Sequence, residues 1–240
     1  KRDDSLKDIE FPFDSYRKGQ EELSEFVKKT IKNKDIGFAE APTGIGKTMS
    51  TLYPAVESFK SDKRDRIFYL TAKNTGKDSA YKAMGLLLDK GFKGRDSVIT
   101  SRDGICLCKG KECNPDQCPF AKGYYTKRKQ IILEAIQTEY RFSEAYVIRL
   151  ARENQTCPFE LQLDLSMWSD VLICDYNYFF DPVVKLQRYF GDEADPSNNI
   201  ILIDEAHNLV DRGRSMFSQE LSLDKCERAL EALRGYKVVA

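Results

Sequence analysis

Short apolar runs alternate with amphipathic stretches along much of the chain, a pattern that predicts a parallel sheet with helices between its strands. Apolar runs of strand length occur at 35–40, 67–70, 98–100, 170–174 and 200–203. The last run, IILI, is unbroken, which is expected for a parallel strand covered on both faces. The sequence therefore predicts an α/β fold with a central parallel sheet.

The stretches between these runs have the spacing of helices. Leu23, Phe26, Val27 and Ile31 fall on one helical face. Further helices are predicted from Lys47 to about Phe59, over about 76–90 and from about Leu223.

The regular alternation stops after Thr100 and resumes at Asp170. We interpret the segment 101–168 as an insertion in the connections of the sheet that forms a small domain of its own.

A glycine-rich turn, APTGIGKT, occupies positions 41–48, directly after the first apolar run. Such a turn before a helix directs backbone N–H groups and the positive end of the helix dipole at one spot, which suits a phosphate. We predict that Lys47 reaches the β- and γ-phosphates of a bound nucleotide and that the Thr48 hydroxyl holds Mg²⁺. The residues predicted to form the cradle around the phosphates are Ala41, Pro42, Thr43, Gly44, Ile45 and Gly46. Ala41 departs from the strict pattern, which has glycine there.

Two acidic residues follow the last apolar run, in the sequence IDEAH at 203–207. The carboxyl ends of parallel strands are where open α/β sheets bind ligands. Asp204 is therefore predicted to hold Mg²⁺ through water, and Glu205 to position or deprotonate an attacking water. Either motif alone could be an ordinary solvated loop, but together they predict a site that hydrolyses ATP. Lys47 and Asp204 lie 157 positions apart, and the predicted insertion accounts for much of that distance.

Seven cysteines, at 106, 108, 113, 118, 157, 174 and 226, could indicate disulfides in a small secreted protein. Beside an ATPase site we favour a metal instead. The first four have the spacing C-x-C-x₄-C-x₄-C, and the only histidine, His207, belongs to the IDEAH motif, so such a site must be essentially all-thiolate. The residues leave a Cys₄ zinc site and an iron–sulfur cluster open, with the wide, uneven spacing favouring the cluster. Cys174 and Cys226 are most simply small core residues.

Composition gives no global sign of a nucleic-acid partner, because 38 basic residues balance 38 acidic ones. A local basic stretch is the candidate contact: Lys122, Lys127, Arg128 and Lys129, interleaved with Tyr124 and Tyr125. Its alternative is a solvated helix face. No apolar run approaches the ~20 residues of a membrane span and no signal peptide is evident, so we expect a cytoplasmic protein, nucleoid-associated if bacterial.

The motifs APTGIGKT, FYLTAK at 68–73 and IDEAHN at 203–208 resemble motifs I, Ia and II of DEAH-box superfamily 2 helicases. ITSRDGICL at 99–107, CPF at 157–159 and CDYNYFFDP at 174–182 narrow the resemblance to the XPD/DinG-like iron–sulfur helicases. The resemblance extends from Phe11 to Val210. It implies a RecA-like domain in an ATP-dependent DNA helicase of 5′→3′ polarity with a [4Fe–4S] cluster.

The resemblance also implies roles for single residues. Gln20 would contact the adenine base, with Tyr16 and Arg17 nearby, and Thr71 and Lys73 would touch the DNA backbone. Arg102 would serve the cluster or DNA, and His207 completes the catalytic set with Lys47, Asp204 and Glu205. The cluster ligands implied are Cys106, Cys113, Cys118 and Cys157. Cys108 falls where the family has another residue, so it could be a spare thiol or could substitute in a damaged cluster.

These expectations divide the chain into a first motor part at 1–100, a small, mainly helical cluster insertion at 101–168 and a second motor part at 169–210. The remaining segment, 211–240, would begin a helical arch. We expect the thiolate bonds to staple an insertion too small to build its own core, making a wedge that separates strands.

The expected partners are single-stranded DNA, DNA junctions and a second motor domain in the full-length protein. Because motifs III to VI are absent, we expect this chain alone to bind nucleotide weakly and hydrolyse it poorly. Two alternatives remain. One is a DNA-binding module stapled by metal-bound cysteines, with a vestigial ATPase, and the other is a P-loop ATPase that acts on protein partners.

Overall fold

Five parallel strands form the central sheet of the computed structural model, which describes residues 2–7, 9–60 and 64–234. The strands are β1 (Ile67–Thr71), β2 (Asp96–Val98), β3 (Arg141–Phe142), β4 (Val171–Asp175) and β5 (Ile200–Ile203). Their order across the sheet is β3-β2-β4-β1-β5, and each neighbouring pair is parallel. The predicted α/β class with a parallel sheet is confirmed.

Helices connect and cover these strands, and none of those described is long and apolar enough to cross a membrane. They are α1 (Arg2–Ser5), α2 (Gln20–Asn33), α3 (Lys47–Glu57), α4 (Asn74–Asp89), α5 (Arg102–Ile105), α6 (Tyr124–Thr138), α7 (Glu144–Asn154), α8 (Pro158–Ser166), α9 (Asn177–Phe180), α10 (Gln187–Phe190), α11 (Leu209–Phe217) and α12 (Leu223–Leu233), with 3₁₀ turns at Ser58–Lys60 and Ala206–Asn208.

Strand β1 lies inside the sheet, between β4 and β5, and both of its faces are apolar. Ile67 and Tyr69 belong to one hydrophobic cluster, and Phe68 and Leu70 belong to the cluster on the opposite face. All four side chains are buried. Successive residues of a strand point to opposite faces, so a strand covered on both faces must be apolar throughout.

The strand predicted at 35–40 is wrong. This segment has no regular structure, and the side chains of Ile36 and Phe38 are 88% and 85% exposed. The short apolar run that suggested a buried strand does not supply the hydrogen-bonding neighbour that a strand needs. Within the described part of the chain the sheet ends at β5, and residues 35–40 form no ladder with it.

Strand β5 is less covered than predicted. Among the described residues it pairs only with β1, and just Ile200 of its four residues is buried, with Ile203 37% exposed. The unbroken apolar run correctly predicted a strand but not its place at the edge of the sheet. The predicted strand at 98–100 is shifted, because β2 occupies 96–98.

The segment 101–168 is mainly helical, as predicted, but it also contributes to the sheet and to its own core. Strand β3 pairs with β2 at the sheet edge. A third hydrophobic cluster includes Tyr124, Phe142, Val147 and Leu161. The expectation that this segment could not build a core is wrong, because its helices bring enough apolar side chains together.

The last helix corrects a further expectation. No described residue of α12 is buried, and Cys226 is only partly covered. Cys226 is therefore not a core residue, whereas Cys174 on β4 is 1% exposed and is one.

Candidate functional site

The glycine-rich turn has the backbone geometry that its sequence predicts. Gly44 and Gly46 have φ angles of 88° and 90°, a left-handed conformation that side-chain-bearing residues rarely adopt. Helix α3 begins directly afterwards at Lys47. The N-terminal N–H groups of this helix therefore lie next to the turn, as an anion site requires.

The segment before α2 packs against this turn. Arg17 Nη1 donates to the carbonyl oxygen of Gly44 at 2.9 Å. The carboxamide of Gln20 accepts the Arg17 backbone N–H at 3.0 Å, and its Nε2 atom would lie 2.5 Å from a Cβ added to Gly46. Gln20 is 2% exposed, so its carboxamide supports the turn; its role in contacting a base stays a prediction.

Tyr16, the other neighbour that the sequence predicts, stacks on Phe11 with ring centroids 4.0 Å apart.

The two halves of the predicted nucleotide site meet. Lys47 Nζ lies 3.2 Å from Glu205 Oε1, although 158 positions separate the two residues. Both side chains are partly exposed, so a ligand can reach them. A lysine and a glutamate at the carboxyl end of the sheet are thus placed around one small volume.

The two predicted Mg²⁺-holding side chains also converge, on the phenol of Tyr69. The Thr48 hydroxyl and the Asp204 carboxylate both lie near the Tyr69 phenol, whose pKa is raised by burial and by the charge of Asp204. Thr48 is the second residue of α3, Asp204 directly follows β5, and Tyr69 lies on β1, the strand next to β5. Hydroxyl and carboxylate oxygens are ligands that Mg²⁺ prefers, so this donor set fits the ion.

Burial raises the pKa of Asp204, with the nearby Glu205 carboxylate adding to the effect and Lys47 opposing it. An acid whose pKa is raised holds its proton to higher pH than usual. Because Mg²⁺ binds the ionised carboxylate, acidification competes with metal binding from a higher pH than it would at an exposed aspartate.

Glu205 itself has a left-handed backbone, with φ 53° and ψ 46°. Such a conformation is costly for a residue with a side chain, and it persists only where the surroundings enforce it. Three donors reach its carbonyl oxygen: the Tyr176 hydroxyl at 3.0 Å, the Asn208 backbone N–H at 3.0 Å and Asn208 Nδ2 at 2.9 Å. The Tyr176 hydroxyl also donates to the carbonyl oxygen of Asp204.

His207 lies at the rim of the site. It is largely exposed, and its Nδ1 atom is 3.5 Å from Glu205 Oε2. Of the two residues predicted to touch DNA next to motif Ia, Thr71 is buried at 2% exposure, whereas Lys73 is exposed.

Sequence reasoning missed Tyr69 and Tyr176. A signal for both was present, because the hydroxyl of a tyrosine inside an apolar strand or at its end requires a hydrogen-bonding partner when it is buried. The sequence does not show which partner that is.

The predicted cysteine ligands are only partly brought together. The Cys108 backbone N–H donates to Cys106 Sγ at 3.3 Å, and the Cys118 thiol lies near that of Cys108. Burial raises the pKa of the Cys157 thiol, and the nearby Cys118 adds to the rise. Cys113 is exposed.

Across 2–7, 9–60 and 64–234, no group of three or more histidine, cysteine or acidic side chains is arranged to hold a metal. In the described residues these thiols are therefore not gathered into a metal site, and Cys108, to which the resemblance gives no ligand role, lies beside Cys106. The set of residues nevertheless has the all-thiolate chemistry of an iron–sulfur site.

The basic stretch separates into buried and accessible parts. Tyr124 is buried, and its hydroxyl donates to Asp164 at 2.8 Å. Tyr125 is 73% exposed, and the Arg128 guanidinium lies 5.1 Å from its ring centroid. Arg102, the other predicted contact, stacks on Phe159 at 5.1 Å. Tyr125 and Arg128 therefore offer an accessible aromatic and cationic pair.

Comparisons with known proteins identify the family and the fold. A family model described as DEAD_2 matches residues 91–226, more than half of the chain. The chain is 26% identical over 284 residues to the "Regulator of telomere elongation helicase 1 homolog" of Caenorhabditis briggsae, covering 98% of this chain and 27% of the relative. It is 22% identical to the "General transcription and DNA repair factor IIH helicase subunit XPD" of Dictyostelium discoideum, covering 84% of this chain and 29% of that protein.

Two solved structures share the fold. One, titled "Truncated XPD", superposes with a TM-score of 0.62 at 23% identity, covering 88% of this chain and 59% of that one. The other, titled "XPD_Helicase", gives the same TM-score and identity over 91% of this chain and 37% of that one. The chain therefore spans little more than a quarter of the length of these curated relatives and has the fold of the N-terminal portion of an XPD helicase.

Proposed function

The chain belongs to the DEAD_2 family, and from that premise we propose that it is the N-terminal motor portion of an ATP-dependent DNA helicase. The parent protein would couple ATP hydrolysis to unwinding with 5′→3′ polarity. Single-stranded DNA and DNA junctions would be its substrates, and a second motor domain would complete the ATP site.

The contact between Lys47 and Glu205, at 3.2 Å, is the observation that carries this proposal. In this arrangement Lys47 binds the β- and γ-phosphates, and Glu205 orients the water that attacks the γ-phosphate. Mg²⁺ held by Thr48 and Asp204 would neutralise charge on the phosphates. When nucleotide binds, Lys47 exchanges its contact with Glu205 for the phosphates, which frees the carboxylate for the water.

The DNA partner is supported by two accessible features. Lys73 is exposed at the start of α4, near the carboxyl end of β1. Tyr125 is exposed beside Arg128 on α6, and base stacking on such a ring is tolerant of sequence. The relatives named above are helicases by title, which agrees with a nucleic-acid substrate.

We further propose that Cys106, Cys113, Cys118 and Cys157 bind a [4Fe–4S] cluster in the intact protein. The support is chemical: these thiols lie in one inserted segment, and the chain has no second histidine with which to build another common site. The cluster would stabilise the insertion as a wedge at the point of strand separation.

The test is DNA-stimulated ATP hydrolysis by the full-length parent protein. We expect single-stranded DNA to raise turnover, and Lys47→Ala to abolish it while leaving the iron content unchanged. If DNA fails to stimulate turnover while a protein partner does, the helicase proposal is wrong and a protein-directed ATPase replaces it.

Polarity requires a separate measurement. Duplexes with a single-stranded tail at only the 5′ or only the 3′ end should be unwound differently, with the 5′-tailed substrate favoured. Preference for the 3′ tail would contradict the polarity and leave the ATPase proposal intact.

A further inference from the structure

A buried phenol, that of Tyr176, contacts the backbone of the loop at 204–208, which we call the catalytic loop. Tyr176 directly follows β4, is fully buried, and belongs to the hydrophobic cluster on one face of the sheet. Its hydroxyl donates to the carbonyl oxygens of Asp204 and Glu205, the latter at 3.0 Å. The phenol thus contacts the two peptide groups on either side of the Glu205 α-carbon.

This contact lies where the backbone needs support. Glu205 is one of the three described residues other than glycine with a positive φ, and its carboxylate must face Lys47. A left-handed glutamate relaxes to an ordinary conformation unless hydrogen bonds fix its peptide groups. Asn208 donates to the Glu205 carbonyl oxygen from within the loop, whereas the Tyr176 hydroxyl donates to it from the end of β4.

The neighbouring residue anchors the other side of the loop. Asp175, at the end of β4, pairs with Arg212 on α11 at 3.3 Å, and Arg212 also reaches the carbonyl oxygen of Ala72. The end of β4 therefore holds the chain both at Glu205 and at Arg212, seven residues later. A rigid scaffold of this kind is what fixes a catalytic side chain in its working position.

We propose that Tyr176 is a positioning residue for Glu205: its hydroxyl keeps the Asp204–Glu205 backbone in the conformation that directs the Glu205 carboxylate at the attacking water. The inference rests on the proposed function, because it concerns the hydrolytic step of that same site. It predicts a specific split between binding and catalysis. Phosphate binding by the glycine-rich turn does not depend on the phenol, whereas the orientation of Glu205 does.

Tyr176→Phe in the full-length protein removes the hydroxyl and keeps the buried ring. We expect kcat for DNA-stimulated ATP hydrolysis to fall on the order of tenfold to a hundredfold, with KM for ATP and the Kd for a nonhydrolysable ATP analogue changed by less than about twofold. Tyr178→Phe is the matched control. Tyr178 belongs to the same cluster, and its hydroxyl donates to the carbonyl oxygen of Thr100 at 3.2 Å, away from the catalytic loop. Its kcat should stay within about twofold of the unmodified protein.

A double-mutant cycle shows whether the phenol acts through Glu205. In single-turnover experiments, Tyr176→Phe should not slow a Glu205→Gln protein further, because the side chain that it positions no longer functions. A further slowing as large as in the unmodified background would overturn the proposal. So would a kcat for Tyr176→Phe equal to that of Tyr178→Phe, or a loss of analogue binding together with kcat.

Failure of the proposed function is distinguishable from failure of this inference. If the unmodified full-length protein hydrolyses no ATP, the proposed function itself is wrong. If the unmodified protein is active and the Tyr176 and Tyr178 variants behave alike, only the positioning role is wrong.

Discussion

Lys47 and Glu205 lie 158 positions apart and their side chains meet, whereas the cysteines at 106, 113, 118 and 157 are much closer in sequence and do not assemble a metal site within the described ranges. The difference follows from what holds each region. Backbone hydrogen bonds of the parallel sheet fix the ends of β1 and β5, and with them the nucleotide site. Thiolate ligands need the metal itself to gather them, because metal binding and folding are coupled.

The comparison teaches that a site built on strand ends is organised before its ligand arrives. A site built on a loop takes its geometry from the ligand. Residues 106–123, which carry three of the four proposed ligands, contain no helix or strand, whereas the helices after them pack into a core of their own.

The largest expected effect comes from two serine substitutions in the full-length protein, purified without oxygen. They test whether a metal gathers the cysteines. Cys113→Ser should abolish the broad absorbance at about 400 nm and the bound iron, because one of the four proposed thiolates is lost. Unwinding should disappear with the cluster, while nucleotide binding persists.

Cys108→Ser is the matched control, since its thiol lies beside Cys106 and Cys118 but outside the proposed ligand set. It should keep iron and absorbance. The reverse outcome, iron lost with Cys108 and kept without Cys113, would give Cys108 the fourth position. Stoichiometric zinc in place of iron would refute the cluster.

Removing the Glu205 carboxylate, which we propose to be catalytic, examines the other region. Glu205→Gln should lower ATP turnover about 100- to 10,000-fold, the usual range for loss of a general base. ATP-analogue binding should remain, and the iron content should not change, because the two regions are organised independently. Loss of iron in this variant would contradict that independence.

A buried ion pair joins the inserted segment to the sheet and should affect stability more modestly. Asp96 on β2 is fully buried, and Arg141 on β3 contacts it at 2.8 Å. Arg141→Met would leave the carboxylate without its partner and should reduce the free energy of unfolding by about 3 kcal/mol. Denaturant titration measures this change, with the exposed Arg152→Met as the control that should have little effect.

The smallest expected effect is on DNA. Tyr125→Ala should weaken single-stranded DNA binding by about 1 kcal/mol, roughly fivefold in Kd, because a single exposed stacking ring is lost. Fluorescence anisotropy at fixed salt measures it, and Gln130→Ala on the same helix serves as the control. Equal affinity for both variants would place the DNA path elsewhere.

The sequence predicted the glycine-rich turn and the strand before Asp204, because these motifs encode local geometry. Glycines at 44 and 46 permit the left-handed turn, and the apolar run before Asp204 forms a strand of the sheet. Strand partners are not encoded in this way. The apolar run that includes Ile36 and Phe38 is typical of a strand, but no strand forms there, because pairing depends on distant neighbours.

Hydrogen bonds between distant residues were equally invisible. Nothing in the sequence around Tyr69 or Tyr176 shows that the first phenol lies near both Thr48 and Asp204 and that the second donates to the Glu205 carbonyl oxygen. Such contacts follow from the order of strands across the sheet, in which β1 lies next to β5 and β4 lies next to β1.

The open side of β5 has a practical consequence for experiments on a polypeptide of this extent. Among the described residues no strand pairs with the outer side of β5, where Ile203 is 37% exposed, so this edge is a template to which another extended chain can add. A preparation limited to these residues should self-associate as its concentration rises, so apparent nucleotide affinities measured on it would depend on protein concentration. Assays on the longer parent protein avoid that confusion.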